Sequence, residues 1–266
     1  MNNGAASILV TVNDGVKIIT LNRPRKKNAI DLQMYVELTS ILRNDAMNDD
    51  IVVTIITGNG EYFSSGNDIS VRPSTTEELI DFVSYFRNFV DALIDYPKLI
   101  IAVVNGPAVG VAVTALALMD VVYASDRATF YTPFVRLGIC PEACSSYLLP
   151  RIMGRSKASE LLLLGNKLTA EEAYCANLVS KVIPHDKIPE LIKSLFQYKK
   201  FNVESMRTCK KLISESLGRD LHAINEKETI TLIKTVSGED VSEMVRQSKS
   251  KDPFCNNYLA KRTLLE

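Results

Sequence analysis

Tryptophan is absent from this chain, histidine occurs only twice, and no long hydrophobic run interrupts it. Each shortage excludes something. His185 and His222 both fall in the late, charge-rich part of the sequence, which argues against a Ser-His-Asp triad and against a His-built metal site. The five cysteines are an odd, scattered set, which fits free thiols in a reducing compartment better than a disulfide framework. Cys140 and Cys144 lie four apart, but no second Cys or His pair completes a zinc site, so no metal is expected. No apolar stretch approaches the roughly 18 residues of a spanning helix, so no membrane insertion is expected. Lys plus Arg equals Asp plus Glu at 31 each, so no global field favours nucleic acid. Neither a Gly-x-Gly-x-x-Gly turn after a strand nor a Gly-x-x-x-x-Gly-Lys-Ser/Thr loop is present. The opening residues show no signal-peptide core or Arg-rich transit pattern, and Thr263–Glu266 is not a Ser-Lys-Leu address, so no targeting signal is expected to be visible.

What is present reads as an α/β chain. The β-branched runs Ile8–Val12 and Val16–Leu21 flank Asn13-Asp14-Gly15, a hairpin signal. Asp31 predicts the N-cap of a helix carrying Leu32, Tyr35, Leu38, Ile41 and Leu42 at helical spacing. Ile51–Thr57 and Leu99–Val104 are nearly all apolar and predict strands buried on both faces. Val109–Leu118 predicts a helix with no solvent face. Strand, Gly-containing turn and helix recur near residues 16, 51 and 99, which predicts a β-β-α unit stacked as a short superhelix. Beyond Asp186 the periodicity turns helical and more charged, including segments near Glu204–Leu217, Leu221–Thr235 and Glu239–Lys249. We therefore divide the chain into a core over 1–200 and a helical region over 201–266.

Three features could carry chemistry. Two turns, Phe63-Ser64-Ser65-Gly66-Asn67-Asp68 and Asn105-Gly106-Pro107-Ala108-Val109-Gly110, each follow a buried strand. Either they are tight turns in a packed core, or their free N–H groups converge into an oxyanion hole. Glu142 follows Pro141 among Ile139, Ala143 and Leu148 at the mouth of a helix. Desolvation there would raise its pKa toward a general base's range, whereas a plain helix-start role would lower it. Finally, Arg23, Arg25, Lys26 and Lys27 form a basic cluster that suits either a solvated loop or phosphate groups.

Five ordered segments carry a resemblance. Asn22-Arg23-Pro24, Lys27-Asn28-Ala29-Ile30, Ser65-Gly66-Asn67-Asp68-Ile69, Ala102 to Gly110 and Asp120-Val121-Val122-Tyr123-Ala124 are similar to the pattern of the enoyl-CoA hydratase/isomerase (crotonase) superfamily. That resemblance implies a crotonase-like spiral of β-β-α units with a C-terminal helical trimerisation layer, hence a homotrimer. It implies an acyl-CoA thioester substrate, with coenzyme A part of the substrate and no separate cofactor. The thioester oxygen would meet the backbone N–H groups of Asn67 and Val111. Arg25, Lys26, Lys27, Ala29, Ser65, Gly66, Asp68, Ile69, Ser70 and Gly110 would border substrate, and Phe63, Phe134 and Leu137 would wall the acyl pocket. Phe254, Lys261 and Arg262 would be candidates to reach a neighbouring subunit's nucleotide.

Which reaction follows from the carboxylates. Hydratases of this family use two Glu, at positions that align here with Thr114 and Phe134, and neither side chain shuttles a proton as a carboxylate does. Glu142 aligns with the single acid/base of peroxisomal-type Δ3,Δ2-enoyl-CoA isomerases, and Cys140-Pro141-Glu142-Ala143-Cys144-Ser145-Ser146 resembles that subfamily. The resemblance thus implies a double-bond isomerase of fatty acid β-oxidation, peroxisomal or mitochondrial. The alternatives are a dienoyl-CoA isomerase, which needs a second carboxylate where Phe134 stands, and a non-catalytic crotonase-fold module of the chromodomain-Y-like kind.

Overall fold

The computed structural model describes residues 6–70, 75–216 and 220–238. Strands β1 (Ile8–Asn13) and β2 (Val16–Leu21) form the expected hairpin, with Asp14 and Gly15 both at positive φ in its turn. Four further strands, β3 (Val53–Gly58), β4 (Leu99–Val104), β6 (Val121–Ser125) and β9 (Lys181–Ile183), add to β2 in parallel, in the order β1-β2-β3-β4-β6-β9. A smaller sheet holds β5 (Ala108–Val109), β7 (Thr129–Tyr131) and β8 (Leu168–Thr169).

Both faces of the central strands are covered, which is why β3 and β4 read as unbroken apolar runs. Ile56, Ala102 and Val104 turn toward α1 (Leu32–Ala46) and α2 (Thr76–Ile94) in the main core. Their alternates Val53, Ile55, Ile101 and Val103 face a second core with α6 (Ile188–Leu195). The Asp31 side chain accepts the Met34 N–H at 3.0 Å and caps α1 as expected. Leu32, by contrast, is exposed, because its position on the first turn of α1 faces away from the sheet.

The superhelix is built as the sequence predicts. Each turn of the chain supplies a strand to the large sheet, a short extended piece to the small layer, and a helix. Isolated bridges Ile30↔Asn67 and Ser64↔Ala108 extend that small layer to the earlier turns. The segment expected as one helix from Val109 is divided differently. Val109 pairs with Tyr131 in the small layer, Gly110 (φ 59, ψ −124) turns the chain, and α3 (Val111–Thr114) tightens into a 3-10 turn over Ala115–Leu118.

The later chain comprises α4 (Ser145–Leu162, broken at Gly154), α5 (Ala170–Cys175), α7 (Val203–Glu215) and α8 (Leu221–Ser237). Within the described residues α7 and α8 pack on their own chain. Val203 and Met206 of α7 join the core under the large sheet, and Leu232 and Ile233 of α8 pack on Ile80 and Val83 of α2. At the other end of α8 the contact is polar. The His222 ring lies between Asp91 and Asp95, 2.9 Å from each, and Asn225 Nδ2 donates to Asp91 at 2.9 Å. The helix expected over Glu239–Lys249 lies outside the described residues. No helix among the described residues is long and apolar enough to cross a membrane.

Candidate active site

The two Gly turns are one structure. Phe63 N and Ser64 N donate to Pro107 O, and Val109 N donates to Ser64 O at 3.0 Å, so residues 63–66 run alongside 107–110. Gly66 (φ 82) completes the approach: a Cβ there would lie 2.5 Å from Val109 O. Only glycine tolerates both that distance and that backbone.

The next residue of each segment is the one of interest. Asn67 sits in a bridge whose bonds run from Ile30 N to Gly66 O and from Asp68 N to Ile30 O, leaving Asn67's own N–H out of the pairing. Val111 opens α3, where an N–H has no partner within the helix. Among the described residues, neither amide donates to a protein acceptor.

Glu142 lies across the same cleft. It is not a helix residue: Ala143 (φ 55) and Cys144 (φ 59) follow it in left-handed backbone, and α4 begins only at Ser145. Its side chain is 3% exposed, and no described residue hydrogen-bonds the carboxyl. Burial, reinforced by the charge of Glu228, pushes its pKa up to about 8. Of the two opposed expectations for Glu142, the desolvated one holds.

A cavity of about 620 Å³ joins these parts and is lined by Arg25, Lys26, Lys27, Ala29, Ser65, Gly66, Asn67, Asp68, Ile69, Ser70, Gly110, Val111, Phe134, Leu137 and Glu142, together with Val109, Pro133 and Ile139. Phe63 is the exception among the residues the sequence placed here. It is 2% exposed inside the main core, because the chain alternates through this turn and sends Phe63 under the layer that Gly66 and Asn67 cap. It walls no acyl pocket. Phe254, Lys261 and Arg262 lie outside the described residues.

The second carboxylate on the cleft, Asp68, is occupied. It accepts from Ser70, from Arg23 Nη2 at 2.9 Å and from Lys26 Nζ at 3.2 Å, and these bonds, Ser70's foremost, hold it well below the usual carboxylate range. Arg23 also bonds Ala29 O at 2.7 Å, so it ties the basic loop to the Asn67 turn instead of facing the cavity. Arg25 and Lys27 meet no carboxylate among the described residues; Lys27 lies 5.1 Å from the centre of the Tyr62 ring. Thr114 is fully buried and does not line the cavity, and Phe134 presents an apolar wall.

Two residues at the site escaped sequence reading. Tyr35, packed edge-on against Phe82 and Phe86, donates its hydroxyl to Asn67 Oδ1. Its helical spacing marked it as core and concealed the polar end. Glu228 reaches from α8 to accept the Cys144 N–H at 2.7 Å and the Ser146 N–H at 2.9 Å. No local pattern signals a contact that spans so much chain.

Residues 11–256 match the family described as enoyl-CoA hydratase/isomerase. The chain is 46% identical over 244 residues to a mouse (Mus musculus) protein named enoyl-CoA delta isomerase 3, peroxisomal, covering 90% of this chain and 77% of that one. It is 50% identical over 230 residues to rat (Rattus norvegicus) enoyl-CoA delta isomerase 2, covering 85% of this chain but 59% of the relative. Among solved structures, an enoyl-CoA hydratase/isomerase from Pseudoalteromonas atlantica superposes with a TM-score of 0.80 at 33% identity, covering 92% of this chain and 98% of that one.

Proposed function

The chain belongs to the enoyl-CoA hydratase/isomerase family, and we propose that within it this protein is a Δ3,Δ2-enoyl-CoA isomerase of fatty acid oxidation. One observation carries the reading: of the two carboxylates that line the cleft, Asp68 is bonded to Arg23, Lys26 and Ser70, whereas Glu142 is buried and without a partner among the described residues. A double-bond shift needs one base that both takes and returns a proton. Hydration needs a base for water and an acid for the alpha carbon, and Thr114 and Phe134 supply neither.

In the reaction, ionised Glu142 removes the alpha proton of a 3-enoyl-CoA. The resulting dienolate carries its charge on the thioester oxygen, which the N–H groups of Asn67 and Val111 receive. Those donors act most strongly when the charge is fully formed, so they lower the barrier more than they stabilise bound substrate. The Glu142 carboxyl then returns the proton to the gamma carbon on the same face and gives the conjugated 2-enoyl-CoA. Phe134, Ile139 and Leu137 keep water from the intermediate. Arg25, Lys26 and Lys27 at the mouth suit the phosphates of coenzyme A, and the chain's own residues suffice without a further cofactor.

The test is direct. Conjugation raises the ultraviolet absorbance of the thioester, so 3-enoyl-CoA turnover can be followed in wild type and Glu142→Gln. We expect kcat to fall by about 10²–10⁴ in the variant with coenzyme A binding retained. Equal rates would sink the role of Glu142, and coenzyme A binding without turnover in either protein would favour a binding module.

Two finer points belong to the same proposal. A homotrimer, implied by the family resemblance, fits the exposure of Leu212 and Ile213 on α7; sedimentation equilibrium tests it. A peroxisomal location rests on the name of the mouse relative and is tested by imaging a tagged chain.

A further inference from the structure

We propose that Glu228 of α8 is a positioning residue for Glu142: its carboxyl caps, from outside, the loop that carries the base and holds that loop in the conformation proton transfer needs. The inference rests on Glu142 being the base.

The loop needs a cap it cannot make itself. Ala143 and Cys144 hold left-handed backbone without being glycine, a conformation that strains an L side chain. Cys144 is the N-cap of α4, yet its side chain makes no capping bond. Helix starts normally satisfy their free N–H groups with a nearby Ser, Thr, Asp or Asn. Here a carboxylate from α8 does so, one oxygen taking the Cys144 N–H and the other the Ser146 N–H, while Cys140 Sγ lies 3.9 Å from Glu228 O. Both sides of Glu142 are thereby tied to one residue.

The same placement sets the order in which the two carboxyls ionise. Both are buried, and both are pushed up by burial. Only Glu228 receives hydrogen bonds, two of them from a helix start, so Glu228 ionises first and Glu142 second. Tyr35 from α1, Cys140 from its own loop and Glu228 from α8 couple electrostatically to Glu142, and Arg25, Lys26, Lys27 and Asp68 line the same cavity. Burial lifts Cys140 to about 11 and Tyr35 well above its usual value, so neither titrates where a carboxyl does. On its outer side Glu228 borders a second cavity of about 610 Å³ shared with Arg151, Asp220 and Lys227. A like charge kept beside a desolvated base is how paired carboxylates divide their roles.

The experiment compares wild type, Glu228→Gln and Glu228→Asp by two readouts. The first is ¹³C NMR titration of the Glu142 side-chain carboxyl without substrate, assigned with Glu142→Gln. In Glu228→Gln the Glu142 titration should move down by about one pH unit, because the neighbouring charge is gone. Glu228→Asp keeps the charge on a shorter stem and should titrate near wild type, with kcat lowered about tenfold or more by the loosened loop. The second readout is the pH profile of kcat/KM, whose acid limb should move down in Glu228→Gln alone. An unmoved Glu142 titration in Glu228→Gln overturns the proposal, as does a uniform loss of rate at every pH in both variants, which would mark a merely structural cap. The NMR readout needs no turnover. An inactive wild type would therefore overturn the isomerase reading, while the titration still decides the coupling.

Discussion

The hydroxyl of Tyr35 donates to Oδ1 of Asn67, joining a fully buried ring on α1 to the turn whose unpaired Asn67 N–H we propose as a donor to the thioester oxygen. The ring is fixed among Phe82, Phe86 and Phe89, so the bond carries the rigidity of the core to the edge of the cleft. Tyr35→Phe keeps that packing and removes one hydrogen bond, worth about 0.5–1.5 kcal/mol. We expect kcat to fall up to about tenfold with KM little changed, and the melting temperature to drop by only a few degrees. Steady-state kinetics beside a thermal melt checks this; a changed KM with unchanged kcat would remove Tyr35 from the oxyanion side.

Gly66→Ala tests the joined turns. The new methyl would meet Val109 O at 2.5 Å on a backbone with φ 82, so one segment must shift. We expect a loss of about 1–3 kcal/mol of stability, and a drop in kcat of about 10²–10³ as one amide leaves its aim. Denaturant unfolding and turnover together are informative. A stable variant with full activity would show that the two amides need no such precision.

The reaction should depend on pH through Glu142. Its pKa is raised to about 8 in the empty site, and only the ionised form can take the alpha proton. kcat/KM reports the free enzyme, so it should climb with pH and level off above about 8. A profile already flat from pH 6 would mean that the base is ionised far earlier than its burial allows.

The strands were readable in the sequence because they rest on local pattern, whereas the residues that line the cleft were named through the family resemblance. Two buried faces make β3 and β4 continuous apolar runs, and Asp31 caps α1 through a bond three residues away. For Glu142 the sequence left a desolvated carboxyl and a helix-start residue both open, because only the left-handed backbone of Ala143 and Cys144, which delays α4 to Ser145, decides between them. Phe63 was misplaced because a turn residue beside Gly66 can face either side of the small layer, and only the alignment with residues 107–110 decides which. Tyr35 and Glu228 were missed because a single polar atom at a distant contact leaves no periodic trace.

His222 provides a prediction about stability. Hydrogen bonds to Asp91 and then Asp95 raise its pKa to about 10, above an ordinary value near 6.5. A group with a raised folded pKa contributes fully below its unfolded pKa and loses that contribution as pH rises through the folded value. The stability difference between wild type and His222→Gln should therefore be largest below about pH 6.5 and shrink steadily toward pH 10. Urea titrations at several pH values would measure it, and a difference independent of pH would show that the ring is neutral between its carboxylates.

The way residues 63–66 lie against 107–110 has a consequence for how the site is lost. That seam is backbone-bonded and set in the main core, whereas the loop carrying the proposed base is bonded to α8, a helix near the end of the described chain held by a patch of side chains. The two halves of the site thus belong to regions of unequal endurance, and hydrogen exchange should find the seam among the slowest amides and α8 among the faster. Under mild heat or urea the molecule should part with proton transfer while it still grips the thioester. Inactivation would then precede melting, and a protein that binds substrate without turning it over would be an intermediate on the way to unfolding.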